Sequence, residues 1–218
     1  MRIGKGSLAL ILIAATAVGA WFLLRSATAP RGLPSSQDAI NPTDDPIREP
    51  VENAPPIPLK FKDADLSLLP KASYRLTARI GSKRRYRSSW EGQAAPYDLV
   101  LMWGRLAAED PREYLTISQD MRWYRFRLNN DAPVSVDYVS QHSANTHIIP
   151  ATKNLRRAVA RLRSGDEVRM EGFLVFLSGT YKGQEVWWNS SLTPQDTGAG
   201  ACEVFYLESL AKEGRLYR

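Results

Sequence analysis

The sequence predicts a mainly β domain with one helix, placed behind an N-terminal transmembrane helix. Three observations predict it: an uncharged apolar run near the start, apolar and polar residues that alternate in several later segments, and one amphipathic segment with helical spacing. They divide the chain into a membrane anchor at residues 1–25, a proline-rich disordered linker at residues 26–58 and a β domain at residues 59–218.

The anchor is the uncharged run at residues 7–24, which as a helix would be about 27 Å long and nearly span the hydrocarbon core of a bilayer. Pro30 follows the small residues that a signal peptidase would use, which favours an uncleaved anchor over a cleaved signal peptide. A short tail with Arg2 and Lys5 normally stays in the cytoplasm, so the domain is expected on the opposite side of the membrane. Basic residues beyond the run keep a cytoplasmic domain open as the alternative.

The linker is marked by its composition. Residues 26–58 contain eight of the fourteen prolines and almost no periodic apolar residues. Proline stiffens a chain and removes backbone donors, so this segment is expected to be an extended spacer without a fold of its own. Acidic and basic residues balance over the first 58 residues, and the net charge of +6 therefore belongs to residues 59–218.

Strands are predicted where apolar and polar residues alternate. Such segments lie at residues 74–80, 97–103, 121–128, 166–177 and 201–210, with residues 184–191 as a further partner. The helix is expected at residues 152–165, where Thr152 is placed to cap the start. Its apolar face consists of Leu155, Ala158, Val159 and Leu162.

The order of these elements is β-β-β-α-β-β, which is that of an OB-like small Greek-key barrel. An SH3-like barrel or a short sandwich would leave a similar pattern. Gly172 lies where a bend or bulge would let a small barrel turn a corner. Residues 140–150 are expected to form a loop near the binding face of the barrel.

Cys202 is the only cysteine, and His142 and His147 are the only histidines. A cysteine nucleophile needs a base and a group that orients the base, so Cys202, His142 and Asn145 are a candidate catalytic set. The alternative is a buried structural cysteine at the start of the last strand.

Asp196 begins the letters Asp-Thr-Gly-Ala of an aspartic protease loop, but the strongly apolar strand that precedes such a loop is missing here. We therefore expect a polar turn at this position, with Asp196 as a candidate binding residue. The offset between His142 and His147 matches no zinc motif, so neither a metal nor another cofactor is predicted. Both histidines and Asn145 remain candidate binding residues.

Basic and aromatic residues are interleaved in two segments, and such a face can hold acidic groups and stack rings. A solvated strand face is the alternative. The residues concerned are Arg84, Arg85, Tyr86, Arg122, Trp123 and Arg125.

Residues 118–127, 143–151 and 191–204 resemble a group of uncharacterised membrane-anchored proteins found widely in proteobacteria, over most of residues 70–207. The chain departs from that group at residues 98–104, where a glycine or other small residue is expected before Trp103. The resemblance implies a bacterial envelope setting and assigns no catalytic residue.

These observations together predict a single-pass inner-membrane protein whose C-terminal domain is periplasmic. We expect an envelope binding or accessory module that recognises an acidic partner, which is a protein, an anionic glycan or a lipid head group. Nucleic acid would be the leading partner only for a cytoplasmic domain. The alternative function is a hydrolase that uses Cys202 and His142.

Overall fold

The computed structural model describes residues 29–35, 41–193, 196 and 201–218. The strands are β1 (Leu33–Pro34), β2 (Ile47–Pro50), β3 (Ile57–Phe61), β4 (Ala64–Arg85), β5 (Tyr97–Met102), β6 (Leu115–Asp120), β7 (Trp123–Leu128), β8 (Ser143–Pro150), β9 (Glu167–Tyr181), β10 (Gln184–Asn189), β11 (Glu203–Lys212) and β12 (Arg215–Tyr217). The helices are α1 (Ser89–Ala94), α2 (Arg105–Ala108), α3 (Val136–Gln141) and α4 (Lys153–Arg161), with a 3₁₀ turn at Pro111–Glu113.

The mainly β character is confirmed, but the described residues contain four α-helices where one was expected. The three additional helices have four to six residues each, which is too short to show the apolar periodicity of a longer helix. The predicted anchor at residues 1–25 lies outside the described residues. Within the described part, no helix combines the length and the apolar character needed to cross a membrane.

Five strands are joined by five successive pairings into a closed ring that begins and ends at β4. β4 pairs with β5 and β5 with β8, both antiparallel, and β8 pairs with β11 in parallel. β11 then pairs antiparallel with β9, and β9 pairs antiparallel with β4. The functional side chains described below come from β5, β8 and the start of β11, which are consecutive in this ring.

β4 is the longest strand, with 22 residues. Two short strands pair with the part of β4 that precedes its pairing with β5. β3 pairs with β4 from Ala64 to Leu68, and β2 pairs with β4 from Ala72 to Arg75. The prediction of a disordered linker is therefore corrected for residues 33–34, 47–50 and 57–58, which lie in β1, β2 and β3. The prolines made this segment look like a linker, although proline is tolerated in short edge strands.

The third strand of the ring is β8, and not the segment at residues 121–128 that sequence analysis predicted. That segment instead contains β7, which forms a separate hairpin with β6. β8 falls in the predicted loop at residues 140–150. It was missed because seven of its eight residues are buried, four of them polar, so that no apolar–polar alternation marks it.

Helix α4 confirms the sequence prediction. The side chain of Thr152 accepts a hydrogen bond from the backbone nitrogen of Leu155 at 3.1 Å, as an N-cap does. At the other end, Lys83 of β4 donates to the carbonyl oxygens of Ala160, at 2.8 Å, and Leu162. A cation at this position satisfies carbonyl groups that the helix leaves free and favours its negative end.

The ring strands bury apolar side chains on both faces. One face packs with α4 around a core that includes Tyr74, Leu99, Ile148 and Phe205. The opposite face is covered by two smaller apolar clusters. The first lies under β3, β10 and α1, and the second lies under the β6–β7 hairpin and α3. The buried polar side chains of the candidate site lie on this second face, between the two clusters.

Candidate active site

Three neighbouring strands bring Asp98, His147 and Cys202 to one face. Asp98 of β5 is the register partner of His147 of β8, and His147 is the register partner of Val204 of β11. Because side chains two residues apart share a face of a strand, Cys202 lies on the same side as Val204. The sheet therefore aligns a carboxylate, an imidazole and a thiol in one row.

The carboxylate and the imidazole are both removed from solvent, with Asp98 0% and His147 2% exposed. Nδ1 of His147 lies 2.9 Å from Oδ1 of Asp98, the distance of an ion pair, although the two atoms are not aligned as a hydrogen bond. Burial lowers the pKa of His147, but the Asp98 carboxylate and the Cys202 thiol raise it by more, so the pKa lies above its ordinary value. The site thus makes the imidazole a stronger base than that of an ordinary histidine.

The Cys202 thiol is free and half-buried, and it donates to the backbone oxygen of Arg122 at 3.8 Å. It is near enough to the His147 ring to help raise the pKa of that imidazole. Nδ2 of Asn145 is 3.5 Å from the sulfur and also donates to the backbone oxygen of Arg122 at 2.7 Å. Gln119 of β6 donates to Oδ1 of Asn145 at 3.0 Å, which fixes the direction of the amide. A donor group is therefore held against the sulfur.

Arg122 enters the site from the tip of the β6–β7 hairpin. Met121 and Arg122 form the two-residue turn between the paired Asp120 and Trp123, and both have positive φ, 49° and 69°. Two-residue hairpins need this left-handed conformation, which glycine and asparagine normally supply and which strains larger residues. The strained turn directs the Arg122 side chain toward Asp98.

The guanidinium of Arg122 contacts several groups at once. Nη1 donates to Oδ1 of Asp98 at 2.5 Å and to the backbone oxygen of Ala95 at 3.0 Å. The charged group also lies 4.0 Å from the ring centre of Tyr86 and 5.4 Å from that of Trp188. Arg122 and His147 therefore share one oxygen of a single carboxylate.

An open cleft of about 210 Å³ lies over these groups. Trp188 covers the His147 ring at 4.4 Å between centres and meets Trp90 edge-on at 6.0 Å. Trp123 and Trp187 are 40% and 70% exposed at the cleft. The lining consists of Trp90, Glu91, Arg122, Trp123, His147, Trp187, Trp188 and Cys202.

Several buried polar atoms around the cleft have no hydrogen-bond partner among the described residues. They are Oδ2 of Asp98, Nδ1 of His147, Nη2 of Arg122 and Oε1 of Gln119. Unpaired buried polar atoms are uncommon in folded proteins and cost stability, and their concentration here distinguishes the site from ordinary core packing.

Of the residues that sequence analysis selected, Cys202, His147, Asn145, Arg122, Trp123 and Tyr86 come together at this cleft. His142 does not take part as predicted: its ring stacks on Tyr138 at 3.8 Å and lies 6.4 Å from Trp103. It caps the end of α3, one residue before β8, and so is not in register with the other site residues. The structure places His147, and not His142, at the cleft with Cys202.

The remaining predicted residues lie outside the cleft. Arg84 is 3.7 Å from Asp120 and is exposed, the guanidinium of Arg85 lies 5.8 Å from the ring of Tyr97, and Arg125 is exposed on β7. Asp196 accepts a hydrogen bond from Ser191 at 2.6 Å, and this bond lowers the pKa of its carboxyl. Asp196 lines a separate cavity of about 360 Å³ on the other side of Asn145.

Sequence analysis missed Asp98, Gln119 and Trp188. For Asp98 a signal existed, because it is the single charged residue in the otherwise apolar segment of β5. A buried carboxylate in a strand needs a partner, which points to a site. No comparable signal marked Gln119.

Within the described part of the chain, no group of three or more His, Cys, Asp or Glu side chains is placed to hold a metal ion.

Comparison of the chain with protein-family models, with curated proteins and with solved structures gave no match.

Proposed function

We propose that the protein is a thiol-dependent enzyme of the hydrolase or acyl-transfer type. Cys202 is the nucleophile, His147 the general base, and Asp98 the group that orients the imidazole. The observation that carries this proposal is the row formed by the buried Asp98, His147 and the half-buried thiol, in which Nδ1 of His147 lies 2.9 Å from Asp98 and His147 and Cys202 line the same open cleft. A nucleophile, a base and an orienting acid in this order activate a cysteine.

The reaction follows from these groups. His147 takes the proton of the Cys202 thiol, and the sulfur attacks the carbonyl carbon of an ester, thioester or amide. The imidazolium returns the proton to the leaving group as the bond from the carbonyl carbon to that group breaks, which leaves the acyl group on Cys202 as a thioester. Water then gives a proton to His147 and attacks the thioester, and the carboxylic acid leaves as the sulfur regains its proton.

Asn145 supplies the third requirement of such a reaction, a donor for the negative oxygen of the intermediate. Its amide nitrogen is 3.5 Å from the sulfur, near the position that this oxygen takes when the sulfur attacks. The amide is held in place by Gln119 and by the backbone of Arg122, so little reorganisation is needed.

The cleft limits the part of the substrate that enters. Its volume of about 210 Å³ is below that of a pocket for a complete drug-sized ligand, which is about 300–1,000 Å³. One ring-sized group therefore fits, and the exposed Trp123 and Trp187 extend the contact surface for the rest of a larger substrate.

The enzyme is, in this proposal, an OB-like barrel held at the bacterial inner membrane by residues 1–25, with the domain in the periplasm. The strand ring supports the barrel, because its order β4-β5-β8-β11-β9, its parallel β8–β11 pair and the helix before β9 agree with a five-stranded Greek key. A reporter that is active only outside the cytoplasm, fused after Arg218, tests the orientation. A silent fusion in well-expressed protein would show that the domain lies in the cytoplasm instead.

A second candidate function is an envelope binding module for an acidic protein, glycan or lipid head group. It is favoured by the exposed Trp123, which shares a face of β7 with the exposed Arg125. Partners captured from solubilised envelopes should then be released at high salt and lost with Arg84→Glu combined with Arg85→Glu. Partners retained equally at low and high salt would argue against this candidate.

The enzymatic proposal is tested with the full-length chain, reduced and purified in detergent, and p-nitrophenyl acetate as the probe. We expect nitrophenol release together with an acetyl group on Cys202, detected by peptide mass spectrometry. Cys202→Ala should abolish the adduct, and His147→Asn should slow its formation about 100-fold, at the low end for loss of a general base.

His142→Asn is the matched control, since it removes the other histidine without touching the cleft. Equal rates of acetylation in His147→Asn, His142→Asn and the unaltered chain would contradict the proposal and leave Cys202 as a packed side chain.

A further inference from the structure

We propose that Arg122 receives an anionic group of the substrate, a carboxylate or a phosphate, and that this binding is coupled through Asp98 to proton uptake by His147. The inference rests on the proposed function for the identity of the site. It adds a charge requirement for the substrate and assigns Arg122 as a positioning residue for the imidazole.

The first observation is that one carboxylate oxygen serves two cationic groups. Oδ1 of Asp98 lies 2.5 Å from Nη1 of Arg122 and 2.9 Å from Nδ1 of His147, while Oδ2 has no partner among the described residues. A single negative charge cannot fully neutralise both a guanidinium and an imidazolium in a buried site. Weakening either contact therefore strengthens the other.

The second observation is the position of Arg122 in the cleft wall. Its side chain lines the same cavity as Cys202, stacked between Tyr86 and Trp188. Nη1 has two acceptors, whereas Nη2 has none among the described residues. A guanidinium whose Nη2 has no acceptor, beside a candidate nucleophile, suits a carboxylate or phosphate, to which this nitrogen can donate.

The third observation concerns the other charges that face His147. The groups on the elements packed around it are Asp98 of β5, the Cys202 thiol before β11, Arg122 of the hairpin turn and Glu91 of α1 at the cleft wall. Arg122 is the only arginine or lysine among the described residues that line the cleft, and His147 is the other basic side chain there. An anionic group that enters the cleft therefore has one permanently charged cation to meet.

The consequence is activation by the substrate itself. When an anion pairs with Arg122, the Asp98 charge is left to His147, which stabilises the imidazolium and hence the thiolate that forms with it. Coupling between two sites is reciprocal, so protonated His147 should in turn increase the affinity of Arg122 for the anion.

The test measures the His147 pKa by NMR in the full-length chain labelled with ¹³C-histidine. The chain has only two histidines, and His142→Asn assigns the second resonance. A Cys202→Ala background removes the thiol, so the result does not depend on whether Cys202 is a nucleophile. The probes are inorganic phosphate and acetate, each compared with chloride at the same ionic strength.

We expect phosphate, acetate or both to raise the His147 pKa, and the more effective anion identifies the group that the substrate carries. Arg122→Gln should raise the pKa by about one unit without any anion, at the low end of the effect of a close charge, and should abolish the response. Arg122→Lys, which keeps the charge, should retain part of the response.

An unchanged His147 pKa with both anions in the unaltered hairpin would overturn the proposal, as would an Arg122→Gln chain that folds and titrates like the parent. Circular dichroism establishes folding for each variant. If Arg122→Gln fails to fold, the anion titration of the parent and of Arg122→Lys decides the outcome.

Discussion

Arg48 donates a hydrogen bond of 2.7 Å to Glu203, across 155 residues of sequence. Glu203 also accepts from Tyr74 at 2.8 Å and from Thr146 at 2.8 Å, so this buried carboxylate is fully partnered. Burial and the nearby Glu203 charge raise the pKa of Tyr74 well above its ordinary value, which keeps the phenol a donor. The residue that follows the candidate nucleophile is thus fixed by a strand from the N-terminal segment.

Arg48→Ala should destabilise the fold by about 3–5 kcal/mol, because it leaves the carboxylate of Glu203 buried without its cation. Arg48→Met combined with Glu203→Gln should recover most of this loss, since no unpaired charge then remains. Urea unfolding of the single and double variants measures the coupling. The matched control is Lys60→Ala at the exposed Lys60–Asp65 pair, which should cost less than about 1 kcal/mol. A similar cost at both positions would refute the assigned role of Arg48.

Gly172→Ala should be severely destabilising, by about 3 kcal/mol or more. A Cβ at this position would stand 2.0 Å from the carbonyl oxygen of Tyr206, and backbone atoms cannot yield as a flexible side chain can. Gly183→Ala serves as the comparison, because its Cβ meets nothing within 4 Å and only its φ of 77° is unfavourable. That change should cost about 1–2 kcal/mol. Thermal unfolding that ranks Gly183→Ala as the more damaging change would contradict this account.

Met121→Gly should stabilise the chain by about 1 kcal/mol, because glycine relieves the left-handed strain at φ 49° and the Met121 side chain is 79% exposed. Arg122→Gly relieves the same strain at φ 69° but removes the contact with Asp98. It should therefore destabilise the chain, and it should raise the pKa of His147, because the Asp98 charge is then left to the imidazole. The two glycine variants differ by one position in one turn, and equal effects on both stability and the His147 pKa would show that the guanidinium does nothing in the site.

The raised pKa of His147 gives a defined pH dependence. Because the folded-state pKa lies above the ordinary value of about 6.5, protonation of His147 contributes stability fully below pH of about 6.5, and this contribution is lost as the pH rises through the folded-state pKa. The difference in unfolding free energy between the parent chain and His147→Gln should follow that course under reducing conditions. His142→Gln provides the control, and a pH-independent difference for His147→Gln would contradict the ion pair with Asp98.

The sequence was sufficient for elements that carry a clear local pattern of apolar residues. Helix α4, with its cap at Thr152, and β5 were predicted close to their observed bounds, because amphipathic periodicity and continuous apolar runs are local signals. Residues 121–128 also alternate as predicted, yet alternation does not say which sheet a strand joins. The pattern led to the wrong third strand for that reason.

Only part of the candidate site was predicted, because its members are separated along the chain. Cys202 and Asn145 were selected from residue chemistry, but the choice between His142 and His147 depends on strand register, which only pairing with β5 and β11 determines. Asp98 was overlooked among apolar neighbours, and the role of Arg48 was hidden in a proline-rich segment. Buried polar strands of this kind lack the alternation on which sequence prediction relies.

The parallel pair of β8 and β11 has a consequence for the order of assembly during synthesis. Thr146 and Glu203, which face each other in this pair, are 57 residues apart, and α4, β9 and β10 lie between them. Contacts between distant segments form late, after the intervening chain has been made. The thiol therefore leaves the ribosome without an imidazole beside it and gains its partner only when the last long strand docks. The row of Asp98, His147 and Cys202 is therefore absent from an incompletely folded chain and forms only with the finished fold.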